Sequence, residues 1–135
     1  MYEWLKDYQN LSNEIDYLEY RLQREKRELR RWVQGDLYGL KLKEKSIASG
    51  LEEKIAEIEY ELACKMNDQY DAENLIRMFD GLDNKILFKK YVEGKSLEVA
   101  AVELNYSASH IRKIHADIVK RIKFIEMYHL CSLTK

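Results

Sequence analysis

Proline is absent from the 135 residues and glycine occurs only five times, so the two residues that interrupt helices most strongly are scarce. With 35% of residues charged and 46% hydrophobic, the chain is expected to be predominantly helical and to bury a core rather than remain disordered. Cysteine is equally sparse. Cys64 and Cys131 lie far apart in sequence and read as isolated thiols of a reducing interior. No glycine-rich phosphate loop follows a strand, and there is no HExxH or close cysteine pair. His110 and His115 stand five apart, out of the i,i+4 step of a helical metal pair, and His129 adds no third ligand. The many Asp and Glu residues follow helical charge spacing, which solvation and helix pairing explain before acid–base chemistry does. No run approaches the ~18 to 20 apolar residues of a membrane span, and no signal-peptide pattern occurs. The expectation is a cytoplasmic protein, not an enzyme, with no catalytic residues, no cofactor, no metal and no membrane partner.

What the chain does have is charge, unevenly placed. Its formal net charge is -1. Residues 1 to 80 hold 13 basic and 18 acidic groups, a net of -5, whereas residues 81 to 135 hold 10 and 6, a net of +4. A basic end presented by an acidic one suits approach to a polyanion.

The acidic half carries an apolar seam. Trp4, Tyr8, Leu11, Ile15, Leu18 and Leu22 alternate steps of four and three, and Leu29 and Trp32 keep that register. Such a repeat is the signature of a coiled coil, and the helix is expected to end near Val33 to Gly35. The heptad then lapses around two glycines, which predicts a flexible connector near 34–50. A second seam, Leu51, Ile55, Ile58 and Leu62, continues through Met66. Either the two helices form an antiparallel hairpin or they pair with another chain, and a homodimer through the N-terminal helices is the expected partnership. Domains are therefore drawn at 1–69 and 70–135.

In the second domain, Ala72, Leu75, Ile76 and Phe79 predict a helix over 70–79, and Asp83 is placed to cap the next helix over 84–91. Ser96 is a candidate N-cap for a short helix whose Leu97, Ala100, Ala101 and Leu104 share one face. Asn105 is the non-glycine type best suited to a left-handed corner, and Ser107 can cap the following helix. Ile111, Ile114, Ile118, Ile122 and Ile125 form the buried stripe of that helix. Over 107–123 it carries Arg112, Lys113, Lys120, Arg121 and Lys123 against a single acid, Asp117. Two short helices joined by a tight corner, the second cationic on its outer side, make a helix-turn-helix suited to the major groove of double-stranded DNA. Arg112 is the first candidate for reading bases, because its guanidinium can bond guanine through two hydrogen bonds; Ser109 and His110 follow. Ser107, Lys113, His115, Lys120 and Arg121 are assigned to phosphates. Phe124, Met127, Tyr128 and Leu130, beyond this face, fit either a docking surface or completion of the local core.

Residues 83 to 122 resemble region 4 of the sigma-70 family: Asp83 to Tyr91 as the supporting helix, Val92-Glu93-Gly94-Lys95 as the turn, Ser96-Leu97-Glu98 opening the first motif helix, and Ser107-Ala108-Ser109-His110-Ile111-Arg112-Lys113-Ile114 opening the recognition helix. The chain departs from that pattern at Asn105, where glycine is usual, and at Ala108, where arginine is frequent. Over its length, with Trp4-Leu5, the long charged helix, Gly35-Asp36, Glu103-Leu104-Asn105-Tyr106-Ser107, His110 and His115, it is similar to phage- and prophage-encoded ArpU-type late transcription regulators. The resemblance implies an all-α protein with N-terminal coiled-coil helices and a small region 4-like domain. It also implies a sequence-specific transcriptional regulator of phage or prophage late genes, working in the bacterial host cytoplasm. The alternative reading is an adaptor that binds RNA polymerase, or a sigma antagonist, with little DNA recognition of its own.

Overall fold

The structure, a computed structural model, describes the backbone of residues 2–34 and 41–133 and the side chains of residues 2–33 and 46–128. It is all-α. Among the described residues there are six α-helices and no strand: α1 (Tyr2–Lys6), α2 (Tyr8–Gln34), α3 (Lys41–Arg77), α4 (Gly81–Leu87), α5 (Leu97–Leu104) and α6 (Ala108–Leu133). A single π-helical turn, Phe88–Val92, carries α4 onward. The chain divides into two compact units, one of Leu11–Asn67 and one of Met1–Asn10 with Asp68–Lys135.

In the first of these units, Leu18 and Leu22 of α2 meet Ile55 and Ile58 of α3, with Leu29 and Leu62 at the margins. Glu14 pairs with Lys65 at 2.9 Å and Lys26 with Glu59 at 3.6 Å, so rising numbers on α2 face falling numbers on α3 and the helices run antiparallel. These ion pairs are open to solvent on at least one side and contribute little; burial of the Leu and Ile side chains, at about 1.5–3 kcal/mol each, is what joins the helices. Leu11 and Ile15 are also buried within the single chain, and Leu51 is half-buried. The seam on which the homodimer expectation rests is thus largely buried between α2 and α3 of one chain.

Three sequence expectations change here. The connector near 34–50 is shorter than expected, because α3 already begins at Lys41; residues 35–40 lie outside the described residues. The helices expected over 51–66 and 70–79 are one, because Lys65 and Gln69 occupy seam positions between Leu62 and Ala72 and keep the heptad in register. The N-terminal seam does not extend back through Trp4. A turn at Asp7 separates α1 from α2, Trp4 is exposed, and Leu5 is the buried residue.

Leu5 and Tyr8 belong to the other unit, which the drawn boundary at residue 69 does not capture. They pack with Ala72, Leu75 and Ile76 at the end of α3, with Phe79 in the turn that follows it, with Leu87 and Tyr91, and with Ile118 and Ile122 of α6. A second cluster, Ile86, Ala101 and Ile111, takes in Leu82, Leu97, Leu104 and Ala108 at its edge, and Ile114 touches both clusters. Helix α4 opens at Gly81, with Asp80 at its N-cap and no side-chain cap bond. Asp83 is therefore inside the first turn, where it accepts from Arg121 at 2.8 Å instead of capping. Asn84 Nδ2 donates to the Ile76 carbonyl at 3.0 Å, satisfying an end of α3. Gln9 Nε2 likewise donates to the carbonyls of Tyr91 (3.0 Å) and Val92, where the π-turn leaves acceptors open. Gly94 follows with φ +72°, and a Cβ there would touch the Gln9 side chain at 3.4 Å.

Candidate nucleic-acid interface

The α5–α6 corner is built from local chemistry. Ser96 sits in extended conformation and its Oγ accepts from the Val99 N–H at 3.2 Å. At the other end of α5, Asn105 adopts φ 63°, ψ 42°. The Tyr106 N–H donates to Ala101 O at 3.0 Å and the Asn105 N–H to Val102 O at 3.3 Å, the paired bonds of a Schellman ending. Ser107 Oγ then accepts from the His110 N–H at 3.2 Å and caps α6. Ala100 and Ala101 are buried, and the lack of bulk at Ala101 lets α5 approach the fully buried Ile111.

Ion pairs fix α5 from outside. Glu103 accepts from Lys89 at 2.6 Å and from Lys95 at 2.8 Å, and Glu93 lies within 3.3 Å of Lys95. The hydrogen bonds from Lys89 and then Lys95 hold the Glu103 carboxyl below the usual carboxylate range.

Ser109, His110, Arg112, Lys113 and Lys120 are exposed on α6. Ser109, Lys113 and Lys120 recur at steps of four and seven, so they form one stripe with Arg112 beside it. Arg112 reaches back to α5, its Nε donating to Glu98 Oε1 at 3.1 Å. That bond is the main reason the Glu98 carboxyl is held below its ordinary range. The pair is exposed on both sides and therefore weak enough for another acceptor to displace. Sequence reading misses Glu98, whose partner lies 14 residues away across the corner. His110 stacks on Tyr106 with ring centroids 5.4 Å apart.

Other residues assigned to phosphates are occupied differently. The Ser107 hydroxyl serves as the cap of α6. Arg121 pairs with Asp83 and lies over the Phe79 ring at 5.5 Å, tying α6 to α4 and to the turn that follows α3. His115 turns inward: it is half-buried, shares a 2.7 Å hydrogen bond with Tyr91 Oη and stacks on that ring at 5.8 Å. Burial, and secondly the charge of Lys90, push its pKa below the ordinary 6.5. A neutral imidazole in that position is a poor phosphate partner.

The same shift predicts a pH effect. Because the folded pKa lies below the unfolded one, the unfolded chain takes up the proton first as pH falls. The stabilisation is complete above the unfolded value and is lost as pH drops through the folded one. Thermal midpoints measured from about pH 7 down to about pH 5 should fall more steeply for the native chain than for His115→Gln; parallel curves would exclude this role.

Beyond the stripe, Phe124, Met127 and Tyr128 are exposed, while the side chain of Leu130 lies outside the described residues, as do those of His129 and Cys131. Among the described residues, no three His, Cys, Asp or Glu side chains gather as a metal site, and no helix is long and apolar enough to cross a membrane. Comparison with protein-family models, curated proteins and solved structures returns no match.

Proposed function

We propose that the chain is a sequence-specific DNA-binding transcriptional regulator whose α5 and α6 act as a helix-turn-helix, with α6 entering the major groove. The observation that carries this reading is the corner at Asn105, which follows a helix with a buried alanine face and leaves Ser109, Arg112 and Lys113 exposed in the first turns of α6. An α-helix fits the major groove, about 12 Å wide, and residues near its N-terminus are those that reach base edges. In this role Arg112 leaves Glu98 for a base, with Ser109 and His110 beside it, while Lys113 and Lys120 hold phosphates. The action is occupancy of a promoter, without a cofactor, a metal or covalent chemistry. The resemblance to sigma-70 region 4 and to ArpU-type regulators points to late genes of a phage or prophage in a bacterial cytoplasm.

A second reading, the polymerase-binding adaptor or sigma antagonist, draws on a specific observation. Phe124, Met127 and Tyr128 remain exposed near the end of α6, as a protein-docking face requires. One experiment separates the two. Purified chain is incubated with a randomised duplex library at two salt concentrations, with and without RNA polymerase, and bound duplexes are sequenced. Enrichment of a defined sequence without polymerase is expected. Enrichment only in the ternary mixture would favour the adaptor, and none under any condition would sink the DNA reading.

A further inference from the structure

Helix α2 changes character halfway along. Residues 8–20 contain Glu14, Asp16 and Glu19 and no cation, whereas residues 21–34 contain Arg21, Arg24, Lys26, Arg27, Arg30 and Arg31 against Glu25 and Glu28. At about 100° per residue, Leu18, Leu22 and Leu29 mark the side facing α3, and Arg24, Arg27, Arg30 and Arg31 fall on the opposite arc. All four are exposed. Arg31 lies 3.4 Å from Glu28, while Arg24, Arg27 and Arg30 have no ion-pair partner among the described residues. Among the described residues the acidic stretch of α3 does not neutralise them, and its one ion pair with α2 in this region is Glu59 with Lys26.

Gathering unpaired cations on one face costs self-repulsion. The helix dipole compensates only in the last turn, near Arg31, and does nothing for Arg24 and Arg27. A solvated surface would be served equally by lysine, yet five of the six cations are arginine, whose planar fork matches phosphate oxygens. Tyr17 and Tyr20 continue the same stripe one turn earlier, both exposed, with hydroxyls able to donate to phosphate. No aliphatic side chain lies on the stripe to seed the apolar centre of a protein interface. From Arg24 to Arg31 the helix rises about 10 Å, the span of roughly three phosphates along one strand at about 3.4 Å of axis each.

We propose that this arginine face of α2 is a second DNA contact that grips the phosphate backbone of a duplex without reading its bases. It rests on the DNA-binding function proposed above and adds a sequence-independent anchor to it.

The test uses the full chain with Arg24→Gln, Arg27→Gln and Arg30→Gln together, measured against the selected promoter duplex and a scrambled duplex of equal length over a range of salt. Each lost phosphate contact removes about 0.9 from the slope of log affinity against log salt, so the slope should fall by about 2 to 3. Affinity near 0.1 M salt should drop about tenfold or more on both duplexes, leaving their ratio unchanged. The Arg→Lys triple variant should restore the slope. If the glutamine triple loses helicity by circular dichroism, the three single variants decide, each expected to lower the slope by about one. An unchanged slope in a variant of a chain that still selects its promoter overturns the proposal alone, even if polymerase capture is lost, since the face would then serve a protein. Absence of duplex binding by the native chain overturns both this contact and the proposed function.

Discussion

Leu5→Ala is expected to destabilise the unit containing α4, α5 and α6 by about 2–5 kcal/mol, although the residue stands more than 60 positions from the nearest α3 side chain it packs with. Leu5 is among the largest fully buried side chains, enclosed with Ala72, Leu87, Ile118 and Ile122. Removing three carbons there exposes a void that side chains from separate helices cannot close together. Tyr8, in the same cluster, donates its hydroxyl to Glu73 at 2.8 Å, and burial, more than that bond, pushes its pKa up to about 12. Gln9 adds the bonds to the π-turn carbonyls. The segment from Leu5 to Gln9 therefore completes this core. A fragment starting at residue 70, where composition suggests the domain begins, should fail to unfold cooperatively. Urea denaturation of Leu5→Ala beside Glu3→Ala provides the check, because exposed Glu3 is expected to cost no more than about 0.5 kcal/mol. Equal midpoints for the two variants would remove Leu5 from the core.

The contrast between Leu5 and Trp4 shows where sequence reading stops. Ser96, Asn105 and Ser107 were legible because a cap or a left-handed corner is decided by a residue and its nearest neighbours. The isoleucines of α6 were legible because one periodicity runs through them. Non-local choices were not. Trp4 and Leu5 both fit a helical spacing to Tyr8, and only the surface supplied by α3 and α6 selects Leu5. Lys65 and Gln69 hide the continuity of α3, since polar residues at two seam positions read as an end to the repeat. His115 looks like another cation of α6 until Tyr91, 24 residues earlier, turns it inward. The net charge of -5 over residues 1 to 80 likewise averages away the arginine face of α2, which emerges once Leu18, Leu22 and Leu29 are seen to point the other way.

Arg112→Ala is expected to lower discrimination at one base position of the selected site by about ten- to a hundredfold, corresponding to about 1–3 kcal/mol for a bidentate guanidinium–guanine contact. Affinity for scrambled duplex should change far less. Lys120→Ala should behave in the opposite way, weakening both duplexes alike and lowering the salt slope by about one. The difference follows from place. Arg112 stands in the second turn of α6 with its guanidinium held over α5 by Glu98, while Lys120 lies two turns further along on a mobile stem with no base edge required of it. Glu98 provides an internal control. Glu98→Gln weakens the hold on Arg112 and removes a negative charge beside the surface proposed to enter the groove, so it should raise affinity while leaving base preference to Arg112. Combined with Arg112→Ala, the same change should still relieve repulsion yet restore no discrimination. Competition binding with a duplex set varied one position at a time measures all four proteins. If Arg112→Ala weakens every duplex equally, as Lys120→Ala does, then Arg112 is a phosphate contact and base reading passes to Ser109 and His110.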